Sequence, residues 1–214
     1  MSMSSKVARG IAVTALTATG AMSLTVPQAM AADVPLQSQY SSATLATYKS
    51  FGRLGPLTDL VITRLRVSDD VAASKFGTDS PIENPVREQQ VLDQVRTQAD
   101  ALGLDPDAAT AFFRDQITAS KEVQTGLFAR WTAQPDEAPT TRPDLEQIRT
   151  QLDQLTVALL QQLKATVDVR NEPTSCTVQL ALAAGSGVVL NGLDTLHRRA
   201  LGTATRSVCT ASAQ

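Results

Sequence analysis

Two cations interrupt an apolar stripe on one predicted helix. In the stretch RLRVSDDVAASK, Arg64 continues a stripe that begins at Leu57, and Lys75 follows Val71 at the same helical spacing. Eleven residues, or three helical turns, separate the two cations, so they lie on nearly one line about 16 Å apart. Cations that face a protein interior need an anionic partner, because a buried unpaired charge costs on the order of several kcal/mol.

Further predicted helices also carry polar residues at positions that the spacing assigns to apolar stripes. These residues are Arg87, Glu88, Ser120, Gln124 and Arg149. The inward faces thus hold four cations against one carboxylate, and a bound anion best meets this surplus of positive charge. Arginine binds carboxylates through paired hydrogen bonds, while serine and glutamine add neutral donors. The pattern predicts an internal pocket for a small anion with two or more negative groups.

The alternative that needs no bound ligand is that these side chains extend to solvent at the ends of the bundle or pair with one another. The pocket also lacks the usual parts of proton-transfer or covalent catalysis: a Cys–His pair, a carboxylate dyad, a glycine-rich phosphate loop and a metal cluster. His197, the only histidine, is expected on the surface of a C-terminal helix. An enzyme built on this pocket would act through binding, orientation and electrostatics.

The chain as a whole has the composition of one globular domain. Its 214 residues are 43% hydrophobic, which is enough to build a core. The formal net charge is −2, so no basic field favours nucleic acid as a partner.

The N-terminus has the pattern of a secretory signal peptide. Lys6 and Arg9 precede an apolar segment that ends in Ala29-x-Ala31. We therefore expect cleavage after Ala31, with residues 1–31 removed and residues 32–214 secreted or periplasmic and free of the membrane. A membrane anchor is the alternative, but threonine and glycine interrupt the apolar run.

Cys176 and Cys209 are the only cysteines. In an exported protein such a pair is most simply one disulfide, and two free thiols or a metal site are less suited to this setting.

Helical periodicity dominates and strand alternation is nearly absent, so we predict an all-α, single-domain bundle of about six helices. Gly103 ends one predicted helix, and Asp105 with Pro106 begins the next. The last helical region should have a weak point at the sequence AAGSG. The predicted helices cover about 42–52, 57–76 with a bend near 68–69, 86–102, 105–131, 144–169 and 176–209.

Several motifs follow one another along the chain: RLRVSDDVAASK, SPIENP with Arg87 and EQQVL, DPDAATAFFRDQITASKEVQ, LFARW, RPDLEQIR and the two cysteines. Each motif is degenerate, but their order and spacing together are specific. Taken in order, they resemble the secreted, all-α chorismate mutases, the exported subclass of the AroQ fold. The resemblance covers about residues 57–209.

The resemblance implies conversion of chorismate, a dicarboxylate, to prephenate by a [3,3] rearrangement without a cofactor. By analogy, Lys75 and Gln124 contact the ether oxygen of the breaking bond, and Arg64 and Arg149 bind carboxylates. The analogy gives supporting roles to Arg87 and Ser120, which help to bind carboxylates, and to Glu88, which accepts a hydrogen bond from the ring hydroxyl. Gln90 is a weaker candidate for the pocket.

Some relatives carry glutamate where this chain has Gln124, and a glutamate must be protonated before it can donate to an ether oxygen. Homodimers are common in the subclass, and the sequence does not decide the oligomeric state.

Two other function classes stay open at this point. One is a non-catalytic exported helical protein that binds an anionic metabolite or a host partner. The other is a structural bundle whose buried charge is incidental.

Overall fold

Helices form all the regular secondary structure in residues 49–209, the part of the chain that the computed structural model describes. The prediction of an all-α fold is confirmed. A single 3-10 turn, Pro135–Glu137, lies between the third and fourth helices. The α-helices are α1 (Gly55–Lys75), α2 (Pro85–Ala101), α3 (Pro106–Ala133), α4 (Leu145–Ala165), α5 (Val167–Arg170), α6 (Pro173–Leu190) and α7 (Thr195–Ala204).

Side-chain caps fix where the helices around the site begin. Asn84 caps α2 by accepting a hydrogen bond from the backbone N–H of Arg87, and Asp144 caps α4 in a similar way. Asp105 caps α3, with Pro106 at its first position, as the sequence predicted. These caps satisfy backbone donors that have no partner within the helix.

α1 lies at the centre of the bundle. It packs against α3, α4, α6 and α7, while α2 packs mainly on α3. The core is formed by large apolar side chains that are almost completely buried, among them Leu57, Leu65, Phe112, Phe113, Leu159 and Leu160. α1 therefore holds its polar residues at fixed positions between α3 and α4.

The prediction of a short helix at about 42–52 is wrong for the part of that range that the structure describes. Residues 49–52 are not helical, and residues 42–48 lie outside the described range, as do the signal peptide and its cleavage site. The Asp59 carboxylate accepts hydrogen bonds from the backbone N–H and the hydroxyl of Ser50, and the backbone N–H of Phe51 donates to Ser186. The backbone N–H groups of Ser50 and Phe51 thus donate to side chains instead of to carbonyl groups within a helix.

Two expected features of the C-terminal half also differ. The helix predicted over 144–169 ends at Ala165, and a short turn of helix follows after Thr166. No weak point occurs at AAGSG, because α6 continues through it to Leu190. At Gly187 an added Cβ would lie 2.8 Å from the Ile62 side chain, so this glycine allows α6 to pack closely on α1. α1 itself runs unbroken through residues 68–69.

α6 is apolar on its outer as well as its inner face. By length and composition it could cross a membrane, a criterion that apolar helices of proteins outside membranes also meet. Val178, Leu182 and Val189 are exposed on it. The expectation that the exported chain stays free of the membrane remains a prediction.

The predicted disulfide is confirmed, and it joins Cys176 in α6 to Cys209 after α7. The bridge closes a loop with a sequence separation of 33. Replacing both cysteines by alanine should lower the free energy of unfolding by about 3–4 kcal/mol, because the unfolded chain gains conformational freedom. Chemical denaturation of the variant and of the oxidised wild type measures the difference. Equal stability of the two proteins would contradict this expectation.

His197 is not the surface residue that the sequence suggested. Its side chain is only 12% exposed, because the first turn of α7 faces α1. Its Nε2 lies 2.9 Å from an Asp69 carboxylate oxygen, and its Nδ1 lies 2.8 Å from Asp194. The hydrogen bond to Asp69 raises the pKa of His197; burial opposes the rise and Asp194 adds to it.

This arrangement predicts how stability depends on pH. Since the pKa of His197 is raised on folding, its contribution is full below the unfolded value of about 6.5 and is lost as pH rises through the folded value. Burial tends to raise the pKa of Asp194, but hydrogen bonds from His197 outweigh it and lower that pKa to about 2. The contribution of Asp194 is therefore lost only in strong acid.

The test compares wild type with His197→Gln by denaturation at several pH values. The wild type should be more stable by the largest margin near pH 5–6, and the margin should shrink as pH rises above the folded pKa of His197. A margin that does not change with pH would show that the imidazole charge contributes nothing.

Candidate active site

A cavity of about 280 Å³ lies among α1, α2, α3 and α4, near the lower end of the size range of small-molecule sites. Apolar side chains such as Val71, Ile117 and Leu152 form part of its wall. The charged side chains on the wall are five cations and two carboxylates: Arg64, Lys75, Arg87, Lys121, Arg149, Glu88 and Asp153. The cavity therefore favours an anionic ligand.

Arg64 is the most buried of these cations. Only 7% of the residue is exposed, and its guanidinium lies 5.9 Å from the centre of the Phe113 ring. One Nη atom makes a long hydrogen bond of 3.4 Å to the carbonyl of Leu152, and Nε has no partner within the described chain. Burial lowers the pKa of Arg64 to about 10, although Asp153 opposes the shift. Arg64 thus stays charged at neutral pH with unused donors.

Lys75 and Gln124 are in direct contact. The Lys75 ammonium donates to Gln124 Oε1 at 3.2 Å and to the carbonyl of Ile82 at 3.3 Å. Since an ammonium can only donate, the Gln124 carbonyl oxygen must face Lys75. The amide nitrogen of Gln124 then donates to Ser120 Oγ at 3.1 Å, and Ser68 donates to the same hydroxyl at 2.9 Å. This chain of hydrogen bonds fixes the direction of the Gln124 amide.

Three effects act on the charge of Lys75. Burial lowers its pKa, the nearby Glu88 carboxylate raises it, and the Arg149 guanidinium lowers it. The net shift is downward, so the surrounding protein groups disfavour the charged ammonium. A bound anion would reverse this effect.

The start of α2 brings two more residues to the cavity. Glu88 Oε1 accepts a hydrogen bond from the backbone N–H of Asn84, and Glu88 Oε2 lies 3.1 Å from the Lys121 ammonium. Arg87 is exposed to solvent and also lines the cavity. Gln90 is exposed and is not among the lining residues.

The structure therefore brings seven of the eight predicted pocket residues to one cavity, and it leaves Gln90 outside. The seven are Arg64, Lys75, Arg87, Glu88, Ser120, Gln124 and Arg149. The described residues contain no group of three or more His, Cys, Asp or Glu side chains that could hold a metal ion.

Two charged lining residues were missed by the analysis of apolar stripes. Lys121 stands one position after Ser120, so the stripe of α3 does not include it. Asp153 follows Arg149 by four residues, and residues at that spacing are neighbours on a helix. That spacing could have indicated Asp153, whereas no local signal indicated Lys121.

Comparison with known proteins places the chain in a family. A profile described as Chorismate mutase type II matches residues 56–125. The chain is 35% identical to the secreted chorismate mutase of Mycolicibacterium smegmatis over 77% of this chain and 90% of that protein. It is 36% identical to the secreted chorismate mutase of Mycobacterium tuberculosis over 78% of this chain and 83% of that protein.

Solved structures agree with the sequence matches. The crystal structure of chorismate mutase from Burkholderia phymatum has a TM-score of 0.70 and 35% identity, covering 74% of this chain and 96% of that one. The Burkholderia thailandensis enzyme has a TM-score of 0.69 and 38% identity, with coverage of 73% and 99%. The chain therefore belongs to the chorismate mutase type II family.

Proposed function

We propose that this protein converts chorismate to prephenate in the cavity among α1–α4. The observation that carries the proposal is the buried Arg64, with an unpartnered Nε, in one cavity with the Lys75–Gln124 contact. Chorismate carries two carboxylates, and five cations against two acidic side chains suit such a ligand.

The first contribution to catalysis is orientation. We assign binding of the substrate carboxylates to Arg64 and Arg149, with Arg87 and Ser120 adding donors. Arg64 is fixed by burial, so it offers a rigid anchor inside the cavity. Holding the flexible ether in its folded, reactive shape removes much of the entropic barrier of a rearrangement. We assign to Glu88, which lines the cavity, the acceptance of a hydrogen bond from the ring hydroxyl, while Gln90 has no role in this proposal.

The second contribution is electrostatic. As the C–O bond breaks ahead of C–C bond formation, negative charge grows on the ether oxygen. Lys75 and Gln124 are assigned to this oxygen. Lys75 has one N–H beyond those that donate to Gln124 and Ile82. The Gln124 amide nitrogen donates to the carbonyl and the hydroxyl of Ser120, and it would exchange one of these contacts for the ether oxygen. Donors aimed at a charge that develops in the transition state lower the barrier more than they strengthen substrate binding.

A non-catalytic protein that captures an anion would need the arginines but not the contact between Lys75 and Gln124. That contact, 3.2 Å long and continued through Ser120 to Ser68, favours the enzyme. The direct test follows the loss of chorismate absorbance with purified protein. Turnover is expected, and its absence would end the proposal.

We also propose that the protein is exported after removal of residues 1–31. Two similar proteins are named secreted chorismate mutases, and the basic, apolar and Ala-x-Ala segments of the N-terminus support a signal peptide. In this proposal residues 32–214 form the mature enzyme. A homodimer stays a prediction that size-exclusion chromatography with light scattering would test.

A further inference from the structure

Lys121 lines the cavity but has no part in the proposed reaction. It lies on α3, and its ammonium is 3.1 Å from Glu88 Oε2 and 3.8 Å from Glu83 Oε1. Its side chain is 27% exposed and that of Glu88 is 26% exposed, so their ion pair is partly shielded from solvent. The pair joins α3 to the beginning of α2 at the edge of the cavity.

Glu88 interacts with two ammonium groups on different helices. Its direct ion pair is with Lys121, and its charge also stabilises the ammonium of Lys75. Its other carboxylate oxygen accepts the backbone N–H of Asn84. Glu88 therefore has one oxygen held by the cap of α2 and one held by Lys121.

Protein groups accept most of the N–H donors of Lys75. An ammonium has three N–H donors, and two of them go to Gln124 and to the carbonyl of Ile82. One donor is left for a substrate. If Glu88 turned toward Lys75 and accepted that last donor, Lys75 could not contact the breaking ether bond.

We infer that Lys121 is a positioning residue that holds the Glu88 carboxylate on the α3 side of the cavity and thereby keeps the last N–H of Lys75 free for substrate. The inference rests on the proposed function. Lys121 acts through Glu88 in this account and does not touch the reacting atoms.

The test is Lys121→Met, which keeps much of the side-chain length and removes the charge. We expect kcat to fall about tenfold while KM changes by less than about twofold, because the lost interaction is one made chiefly in the transition state. Lys121→Arg should restore most of the rate. Lys164→Met, on the exposed side of α4, removes an equal charge away from the cavity and should leave kcat unchanged.

Making Lys121→Met in a Glu88→Gln protein separates a positioning role of Lys121 from a role in packing alone. A neutral amide competes weakly for Lys75, so Lys121→Met should lower kcat by less than about twofold in that background. A tenfold loss in both backgrounds, or no loss in either, would overturn the inference. If wild type turns over chorismate and Lys121→Met matches it, only this inference fails. If wild type itself is inactive, the proposed function fails too.

Discussion

Lys75→Ala should lower kcat by about 10²–10³-fold, the usual effect of removing one donor to a developing negative charge. Among the described side chains, only Lys75 donates a hydrogen bond to Gln124 Oε1. KM should change much less, because the arginines bind the carboxylates. Initial rates of chorismate loss at several substrate concentrations measure both constants.

The same variant separates catalysis from folding. Burial lowers the pKa of Lys75, but its ammonium also supplies a donor to the buried Gln124 Oε1. These two effects oppose each other, so Lys75→Ala should fold and unfold cooperatively at a temperature close to that of wild type. A variant with wild-type kcat would contradict the assignment of Lys75 while leaving the activity in place. Loss of rate together with loss of structure would point to a role in folding.

Gln124→Glu should lower kcat/KM at pH 7 by about 10²-fold and recover as the pH falls. A glutamine donates at any pH, whereas a glutamate must be protonated to donate to the ether oxygen. Gln124 is 4% exposed and its Oε1 already accepts from Lys75, so a carboxylate at this position would keep that contact. What the variant loses at neutral pH is the amide donor to the ether oxygen.

The measurement is kcat/KM as a function of pH, for wild type and for Gln124→Glu under the same conditions. Wild type should keep its activity between pH 5 and 8, and the variant should lose activity as its new carboxyl group ionises. A wild type that loses activity steeply above pH 5 would show that a carboxylic acid of its own is required. A variant as active as wild type at pH 7 would remove Gln124 from the ether oxygen.

The starts of α2, α3 and α4 are determined locally by side-chain caps, and sequence predicted each of them to within about one residue. Asp105 and Pro106 begin α3 because a carboxylate caps free N–H groups and proline fits the first turn. The absence of a helix at residues 49–52 has a tertiary cause, since Asp59 and Ser186 take the local donors. Gly52 adds a local cause, because its positive φ of 79° is incompatible with a continuing helix.

In the candidate site too, some features can be read from local sequence and others depend on how the helices pack. Ser120 and Gln124 were predicted because polar residues four apart on an apolar stripe stand out in the sequence. The pairing of Lys121 with Glu88 spans 33 residues and depends on how α2 packs on α3. Exclusion of Gln90 has a local cause, because the residues of α2 that line the cavity, Arg87, Glu88 and Val91, recur at spacings of three and four, and Gln90 falls beside that face.

The central claim is that this cavity rearranges chorismate to prephenate without a covalent step. Proton NMR of chorismate incubated with purified protein, without an added cofactor, tests it most directly. We predict one-for-one conversion to prephenate in wild type and a rate at least about a hundredfold lower in Lys75→Ala. Unchanged chorismate, or an aromatic product formed with release of pyruvate, would contradict the account.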